Sequence, residues 1–166
     1  SGNTADWHGG GINNAGTLTL TNSTVSGNTA EWGDAAGIYV DINVVAPVTL
    51  TNSIIANNSN ANDCYDENSR IRSMGHNLDS DGTCGLTDAT DKVNTDPTLG
   101  DLQDNGGPTF THALLPGSPA IDAGDDSVFE DPLNLTTDQR SAGFPRLQGP
   151  HVDIGAFELR ATGTVT

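Results

Sequence analysis

An internal repeat constrains the fold of this chain more than any other feature of its sequence. The segment SGNTADW at residues 1–7 returns as SGNTAEW at 26–32, and TLTLTNSTV at 17–25 returns as PVTLTNSII at 47–55. A third copy begins with ANNS at 56–59, in the place of SGNT at 26–29. Thr alternates with Leu in the first copy, which is the period-2 pattern of a strand made of strand-favouring residues. Each copy therefore predicts one coil of a repeat structure.

Repeats of this length, with short strands, glycine turns and few helix-forming residues, predict an all-β fold, a right-handed parallel β-helix (solenoid) with an irregular C-terminal cap. The alternative is a leucine-rich repeat, in which Asn falls three residues after the second Leu of the motif. Here Asn22 and Asn52 fall two residues after Leu20 and Leu50. The spacing favours the β-helix.

The repeat register predicts which side chains stack on one another. The expected pairs are Leu18 with Val48, Leu20 with Leu50, Asn22 with Asn52, and Asn28 with Asn58. Stacked amides can hydrogen-bond along the stack, so the asparagines are predicted to form turn ladders rather than to bind a ligand. Trp7 and Trp32 occupy equivalent positions, which predicts a stacked aromatic pair, with binding of sugar faces as the alternative.

One domain in three parts is expected from the way the pattern changes along the chain. Residues 1–59 are the regular coils, and 60–92 are a polar excursion and a further coil. Residues 93–166 form an irregular C-terminal cap, clasp and tail, in which the run rich in proline at 93–124 is expected to close the open end of the helix.

Charge and cysteine content restrict the environment and the partners. The formal net charge is −16, from 6 Lys plus Arg against 22 Asp plus Glu, which disfavours nucleic acid and anionic membranes as partners. No apolar run is long enough to span a bilayer, so no transmembrane segment is expected. Cys64 and Cys84 lack a second Cys or a His at zinc spacing, and a disulfide that closes their loop is the simplest interpretation. We therefore expect the protein outside the reducing cytosol, extracellular or on a bacterial cell surface.

With both halves considered, the chain resembles the choice-of-anchor Q domain family of bacterial surface β-helix proteins, whose repeats are similar to those of polymorphic membrane proteins. The coil motifs that match are GGGI at 9–12, TLTLTNSTVSGNTA at 17–30 and VTLTNSIIANNS at 48–59. More specific are the C-terminal motifs, DPTLGDLQDNGGPTFTHALLPGSPAIDAGD at 96–125, TDQR at 137–140, GFPR at 143–146 and VDIGAFE at 152–158. Ser141 and Ala142 depart from the family pattern, because TDQR is normally followed directly by GFPR. The resemblance implies an exported, surface-associated β-helix and transfers no catalytic residue. It also matches the pair Cys64 and Cys84.

Two motifs suggest chemistry. Asn94-Thr95-Asp96 spells the first motif of polygalacturonases, and Asp125-Asp126 could supply the paired acids of an inverting hydrolase, but the other motifs of that class are missing. Asp79 and Asp81 precede Gly82 as in the start of a calcium loop, although the rest of the loop pattern is missing and an Asp-Gly turn is the simpler interpretation. In TDQR, an Asp–Arg pair that anchors the clasp is favoured over a catalytic role.

The sequence thus predicts a non-enzymatic structural or adhesive module of the bacterial cell exterior. The alternatives are a carbohydrate-active β-helix and a calcium-stabilised binding domain. Apart from calcium no cofactor is expected, and the expected partners are a surface polysaccharide and the chain itself. Because Ser1 opens within a coil, an uncapped edge is expected there, to which the C-terminal tail of a neighbour could add head-to-tail and build filaments. The residues predicted for this assembly are Leu159, Arg160, Ala161, Thr162, Gly163, Thr164, Val165 and Thr166.

Overall fold

The computed structural model describes residues 1–43 and 45–160, which are built from strands and turns. These residues contain fourteen short strands, one 3₁₀ turn at Asp126–Phe129 and no α-helix. The strands of the repeats are β1 Thr4–Ala5, β2 Ile12–Asn14, β3 Leu18–Thr21, β4 Thr24–Ser26, β5 Thr29–Ala30, β6 Ala35–Val40, β7 Val48–Thr51, β8 Ile54–Ala56, β9 Asn62–Tyr65, β10 Ile71–Ser73, β11 Leu78–Asp79 and β12 Lys92–Val93. The last two strands are β13 Leu99–Gln103 and β14 Thr111–Leu114.

Parallel pairing joins equivalent strands of successive repeats. The sheets have the orders β1-β5, β2-β6-β9, β3-β7-β10 and β4-β8-β11-β12, and only the hairpin β13-β14 is antiparallel. We refer to residues 1–26 as the first repeat, 27–56 as the second and 57–79 as the third. The first two repeats visit the four sheets in the same order, and the third follows that order with a single bridge, Thr29 to Ser59, in place of a strand of the first sheet. This confirms an all-β fold with mostly parallel sheets.

The register agrees with the one predicted from the sequence. In the pair β3-β7, Leu18 lies level with Val48 and Leu20 with Leu50. Ile71 of the third repeat continues the column, since it lies level with Val48 in the pair β7-β10. The stacking of apolar side chains on equivalent ones follows from the strict repetition of the alternating pattern.

A core runs through the three repeats, and its burial is uneven. Val48 and Leu50 of the second repeat are 0% exposed. Their first-repeat equivalents Leu18 and Leu20, together with Ile12, are only partly buried at the edge of the same cluster. The difference follows from the sheet order, because no described residue pairs with the outer edge of β3.

The other end of this core is covered by residues 80–93. Cys84 and Leu86 belong to the core cluster with exposures of 2% and 7%, and the disulfide Cys64–Cys84 ties this segment to β9, as predicted. Lys92–Val93 then pairs with β11. The segment that closes the stack is therefore this one, and not the proline-rich run at 93–124 for which that role was predicted.

The C-terminal segment from residue 94 to residue 160 lies along the flank of the repeats. The second core cluster joins its Leu114, Ala120 and Ile154 to Ile54 and Leu78 of the sheet β4-β8-β11-β12. Since consecutive side chains of a strand point to opposite faces, Ile54 packs outward on this layer while Ile55 packs into the first cluster. Residues 93–124 were predicted to form a cap across the end of the β-helix. These contacts instead place the C-terminal segment on the outer face of the sheet β4-β8-β11-β12, which is apolar like the inner face and needs a cover.

Anchors to every repeat hold that layer in place. The hydroxyl of Thr24 accepts a hydrogen bond from the Ala156 amide at 3.1 Å in the first repeat. In the second, Asn52 exchanges two hydrogen bonds with the backbone of Asp125, at 2.8 and 3.0 Å. In the third, Nδ1 of His76 lies 2.8 Å from the carbonyl oxygen of Ala123.

Candidate functional site

The predicted asparagine ladder exists, and it has a direction. Asn3 donates from its backbone N–H to Oδ1 of Asn28 at 3.1 Å, and Asn28 donates in the same way to Asn58 at 3.0 Å. Asn58 in turn donates to Oδ1 of Asp63 at 3.2 Å, and the Asp63 amide donates to Oδ2 of Asp81 at 2.9 Å. The register of Asn28 and Asn58 is the predicted one. The sequence did not predict that this ladder ends in two carboxylates, those of Asp63 and Asp81.

A second ladder runs beside it with the same polarity. The amide of Ser23 donates to Oγ of Ser53 at 3.3 Å, and the amide of Ser53 donates to Oδ1 of Asn77 at 3.0 Å. Asn77 then donates from its backbone to Oδ1 of Asp91 at 2.9 Å. Each ladder thus ends on an aspartate of the closing segment 80–93, and a carboxylate suits this place because it accepts hydrogen bonds without having a donor of its own to satisfy.

Asn22 and Asn52 lie level as predicted, and their amide contact is long, with Nδ2 of Asn52 donating to Oδ1 of Asn22 at 3.5 Å. Both take the left-handed backbone conformation, with φ of 43° and 47°, which asparagine tolerates better than most residues. Their side chains anchor the C-terminal layer. Asn52 binds Asp125 as described above, and the side-chain amide of Asn22 lies 2.5 Å from Nη2 of Arg146.

The predicted calcium residues Asp79 and Asp81 lie together, and Asp63 joins them. One ligand oxygen from each of the three carboxylates falls within 4.8 Å of the others, with Asp63 and Asp79 buried and Asp81 exposed. Hard oxygen donors of this kind suit a divalent cation such as calcium. Asp63 was missed because it lies 16 residues before Asp79 in the chain, on a different strand.

Hydrogen bonds already use every carboxylate oxygen of this cluster. Oδ1 of Asp79 accepts from the amides of Asp81 and Gly82 at 3.3 and 3.1 Å, and its Oδ2 accepts from the Cys84 amide at 2.9 Å. Burial raises the pKa of Asp79 to about 6, and the carboxylate of Asp81 beside it acts in the same direction. Burial likewise raises the pKa of Asp63, against the hydrogen bond from Ser80. The cluster can therefore retain a proton on Asp79 in mildly acidic solution, or exchange that proton for a cation.

The C-terminal motifs bring together five buried charged side chains. Their exposures are 5% for Asp138 and Arg140 and 1% for Arg146, Asp153 and Glu158. The predicted Asp–Arg pair of TDQR is present, with Nη2 of Arg140 at 2.5 Å from Oδ2 of Asp138. Charged groups this deeply buried must be paired and hydrogen-bonded to be tolerated.

Arg140 lies between two aromatic rings. Its guanidinium carbon is 4.1 Å from the ring centre of Phe144 and 3.7 Å from that of Phe157, and Nη2 also donates to the Glu158 carbonyl at 2.6 Å. A planar guanidinium can stack on both faces and still use its edge for hydrogen bonds. The motifs TDQR, GFPR and VDIGAFE thus meet at one residue, which gives them a structural role.

Arg146 and Glu158 form the second half of this buried group. Nη2 of Arg146 donates to the carbonyls of Asp153 and Gly155 at 2.6 and 2.7 Å, while its Nε lies 3.8 Å from Oε2 of Glu158. Burial raises the pKa of Glu158 to about 7, although the amides of Asp153 and Gln148 donate to its oxygens. A carboxyl group that titrates near neutrality can act in acid–base chemistry, but at 1% exposure it is closed to a substrate.

The residues considered for a polygalacturonase-like hydrolase serve local turns. Asp96 accepts from the Thr98 amide at 2.8 Å, and Asp125 caps the 3₁₀ turn by accepting from Ser127 at 2.9 Å. Asp126 accepts from the Val152 amide at 3.0 Å and pairs with His151. These contacts explain each residue as a structural one.

An aromatic column crosses the three repeats on the outer face of β2-β6-β9. The ring of His8 stacks on Tyr39 with centres 4.3 Å apart, and Tyr39 stacks on Tyr65 at 5.5 Å. The predicted stack of Trp7 on Trp32 is wrong, because no ring contact joins them and they are 68% and 69% exposed. The recurrence of Tyr39 as Tyr65, level in the register of β6 and β9, was a signal in the sequence that could have revealed the column.

Of the residues predicted for assembly, the structure describes only Leu159 and Arg160. Leu159 packs against the second core cluster, and Arg160 donates to the Gly143 carbonyl at 2.6 Å and lies over the ring of Phe144. The remaining six, 161–166, lie outside the described residues, so their predicted role stays a prediction.

Comparison with known proteins adds no relative: no protein-family model, no curated protein and no solved structure matches this chain. Within residues 1–43 and 45–160 no helix is long and apolar enough to cross a membrane.

Proposed function

We propose that this chain is a non-enzymatic structural or adhesive module of the bacterial cell exterior, built as a right-handed parallel β-helix. Support for the helix comes from the return of successive repeats to the same sheets in the same order. Its hand rests on the general preference of parallel crossovers. The disulfide and the net charge of −16 support a place outside the reducing cytosol.

The observation that carries the proposal is the difference between the two ends of the stack. At one end, residues 80–93 cover the core and end both ladders on carboxylates. At the other end, no described strand pairs with the outer edges of β1, β2, β3 and β4, and Leu18 and Leu20 are only partly buried. An edge of this kind can accept a further strand.

Association would therefore use the edge of the first repeat. The head-to-tail filament predicted from the sequence combines this edge with the C-terminal tail of a neighbour, of which residues 161–166 lie outside the described residues. Pairing of two first repeats, edge to edge about a two-fold axis, satisfies both open edges at once and stops at a dimer.

A substitution in β3 tests this association while it keeps the backbone pairing of β3 with β7, and its internal loss is the hydrogen bond that Oγ1 of Thr49 donates to Oγ1 of Thr19 at 3.0 Å. The amide of Asn22 donates to the Thr51 carbonyl at 3.1 Å, so by the alternation of a parallel ladder the N–H groups of Thr19 and Thr21 point away from β7. Thr19→Pro removes one outward donor and adds a ring at the open edge. We expect sedimentation velocity to show a concentration-dependent dimer for the wild type and a monomer for Thr19→Pro, with unchanged circular dichroism. A wild type that stays monomeric at millimolar concentration would contradict the association.

The non-enzymatic part of the proposal is tested separately. Incubation with a panel of neutral and acidic polysaccharides is expected to release no reducing ends and no unsaturated sugars. Release of either product, lost on Asp125→Asn or Asp126→Asn, would instead support the carbohydrate-active alternative.

Stabilisation by calcium is the second candidate, and the cluster of Asp63, Asp79 and Asp81 is the observation that favours it. Calcium that binds only the folded chain stabilises it by RT ln(1 + [Ca²⁺]/Kd), so the melting temperature rises with calcium concentration. Asp81→Asn should abolish such a rise. An equal melting temperature in calcium and in chelator would show that the cluster only ends the ladder.

A further inference from the structure

The tryptophans of this chain lie next to residues of its aromatic column: Trp7 precedes His8, and Gly33-Asp34, which follow Trp32, contact His8. The sequence has two of each, Trp7, Trp32, Tyr39 and Tyr65. Both tyrosines belong to the stacked column, and His8, which follows Trp7 in the chain, begins it. These are the residue types most enriched at binding hot spots, and here they are concentrated beside the sheet β2-β6-β9.

The backbone places Trp7 and Trp32 at level positions in successive repeats. The amide of Trp32 donates to the Asp6 carbonyl at 2.9 Å, which continues the parallel register of β1 and β5 and places Trp7 level with Trp32. Gly33 allows this approach, since a Cβ there would lie 2.6 Å from the Trp7 carbonyl oxygen and 2.8 Å from Nδ1 of His8. Because no ring contact joins the indoles, most of each ring surface is open to a ligand.

The part of the chain up to residue 69, which carries this face, is acidic. The first Lys or Arg of the chain is Arg70, so residues 1–69 carry no cationic side chain apart from a protonated histidine. The pKa of Tyr39 is raised by burial and then by the charges of Asp41, Asp34 and Glu67. The pKa of Tyr65 is raised first by Glu67 and then by burial and Asp34. The carboxylates that surround the column therefore act on the aromatic surface itself.

We propose that this face, which we name the aromatic–acidic face, binds a cationic polypeptide segment. It comprises Trp7, His8, Trp32, Asp34, Tyr39, Asp41, Tyr65 and Glu67. Guanidinium or ammonium groups of the partner lie on the open indoles, and the carboxylates pair with neighbouring cations. Charge complementarity favours this partner over the surface polysaccharide considered above, since a neutral sugar gains nothing from the carboxylates as charges and an acidic one is repelled. The inference rests on the adhesive role proposed above, to which it assigns a partner class.

Tryptophan fluorescence reports directly on this face, because the chain has no tryptophan elsewhere. A nona-arginine peptide is titrated into the protein at about 0.15 M salt, with a glycine–serine peptide of equal length and a neutral glucan oligosaccharide as the other probes. We expect saturable quenching and a shift of the emission by nona-arginine alone. A response to the oligosaccharide and not to the peptide would overturn the proposal in favour of a glycan partner.

Calorimetry on variants separates this face from the general negative charge of the protein. The double variant Trp7→Ala/Trp32→Ala keeps every charge and should bind nona-arginine roughly tenfold more weakly, whereas Phe110→Ala, an aromatic that is 61% exposed in the C-terminal layer, should bind normally. Equal affinity of the tryptophan variant and the wild type would overturn the proposal.

A pair of charge variants completes the test. Asp34→Asn/Glu67→Gln and Asp101→Asn/Asp104→Asn each remove two exposed carboxylates, the first pair on the aromatic–acidic face and the second in the C-terminal layer. The first should weaken binding several-fold more than the second. Equal losses would show that only net charge is recognised. Of the changed residues only Trp7 lies in the first repeat. Asp34→Asn/Glu67→Gln leaves that repeat unchanged, so failure of this binding is distinguishable from failure of the association.

Discussion

Replacement of Glu158 by glutamine should change the way the stability of the protein depends on pH. Glu158 is 1% exposed, and burial raises its pKa from the ordinary 4.5 to about 7. The folded state therefore binds this proton more tightly than the unfolded state does. Below pH 4.5 the group is protonated in both states and costs nothing. As the pH rises from 4.5 to 7, only the unfolded state releases the proton, so stability is lost over that interval and the loss is constant above it.

The size of the effect follows from the same two values. One pKa unit corresponds to about 1.4 kcal/mol, so the difference between 4.5 and about 7 corresponds to roughly 3 kcal/mol of stability above pH 7. Glu158→Gln also loses one of the hydrogen bonds that the carboxyl accepts from the Gln148 and Asp153 amides, at a cost of about 1–3 kcal/mol at every pH. The variant should thus be the less stable protein at pH 4.5, and this deficit should shrink or reverse by pH 8.

Urea denaturation at half-unit steps from pH 4.5 to pH 8 measures this difference directly. Glu130→Gln, on an exposed residue, serves as the control for the loss of one negative charge. Subtraction of the wild-type curve removes the contributions of Asp63, Asp79 and Asp153, whose pKa values are also raised by burial. Parallel curves for the wild type and Glu158→Gln would refute the assignment of a near-neutral proton to this carboxyl group.

Three further predictions concern the repeats. Leu50→Ala should lower the free energy of unfolding by about 2–5 kcal/mol and Leu20→Ala by clearly less, because Leu50 is 0% exposed and Leu20 lies in the open first repeat; equal losses in urea would contradict the uneven core. Replacement of Cys64 and Cys84 by serine should lower the free energy of unfolding by about 3 kcal/mol and expose the end of the core. Melting of the wild type with and without reductant should show the same loss of stability. Asp91→Ala should cost about 1–3 kcal/mol, since it leaves the backbone and side-chain donors of the second ladder without their acceptor, and an unchanged melting temperature would argue against that role.

The fold of the repeats could be predicted because the repeat itself carries the register. Once TLTLTNSTV is aligned with PVTLTNSII, the pairing of Leu18 with Val48 follows without knowledge of any other contact. The same alignment placed Asn28 over Asn58, and the hydrogen bonds between them follow from the strand spacing.

The places where prediction failed are those where contacts join residues distant in the sequence and outside the repeat. The outer face of the sheet β4-β8-β11-β12 is apolar, but consecutive apolar residues such as Ile54 and Ile55 do not reveal whether a second layer covers them. Residues 93–124, which were expected to close the end of the β-helix, belong to the layer that covers this face. Trp7 and Trp32 share a register position, yet their exposed positions leave the rotamers free, so equivalence in the repeat did not ensure ring stacking.

The two ladders explain why the closing segment contains so many aspartates. Within a repeat stack, each side chain accepts a hydrogen bond from the repeat before it and each backbone amide donates to the repeat after it. An asparagine at the last position would keep an NH₂ group with no repeat left to receive it, and a buried donor without a partner costs about 1–3 kcal/mol. Buried Asp63 and half-buried Asp91 avoid this cost, because a carboxylate only accepts, while Asp81, the last acceptor of the first ladder, is exposed. The two ends therefore differ chemically: acceptor atoms of Asn3 and Ser23 remain available at the first repeat, whereas the closing segment accepts the last donors and leaves no position for another repeat. For this reason we expect addition of strands at the first repeat only, and the response of the dimer to Thr19→Pro is the measurement on which that expectation depends.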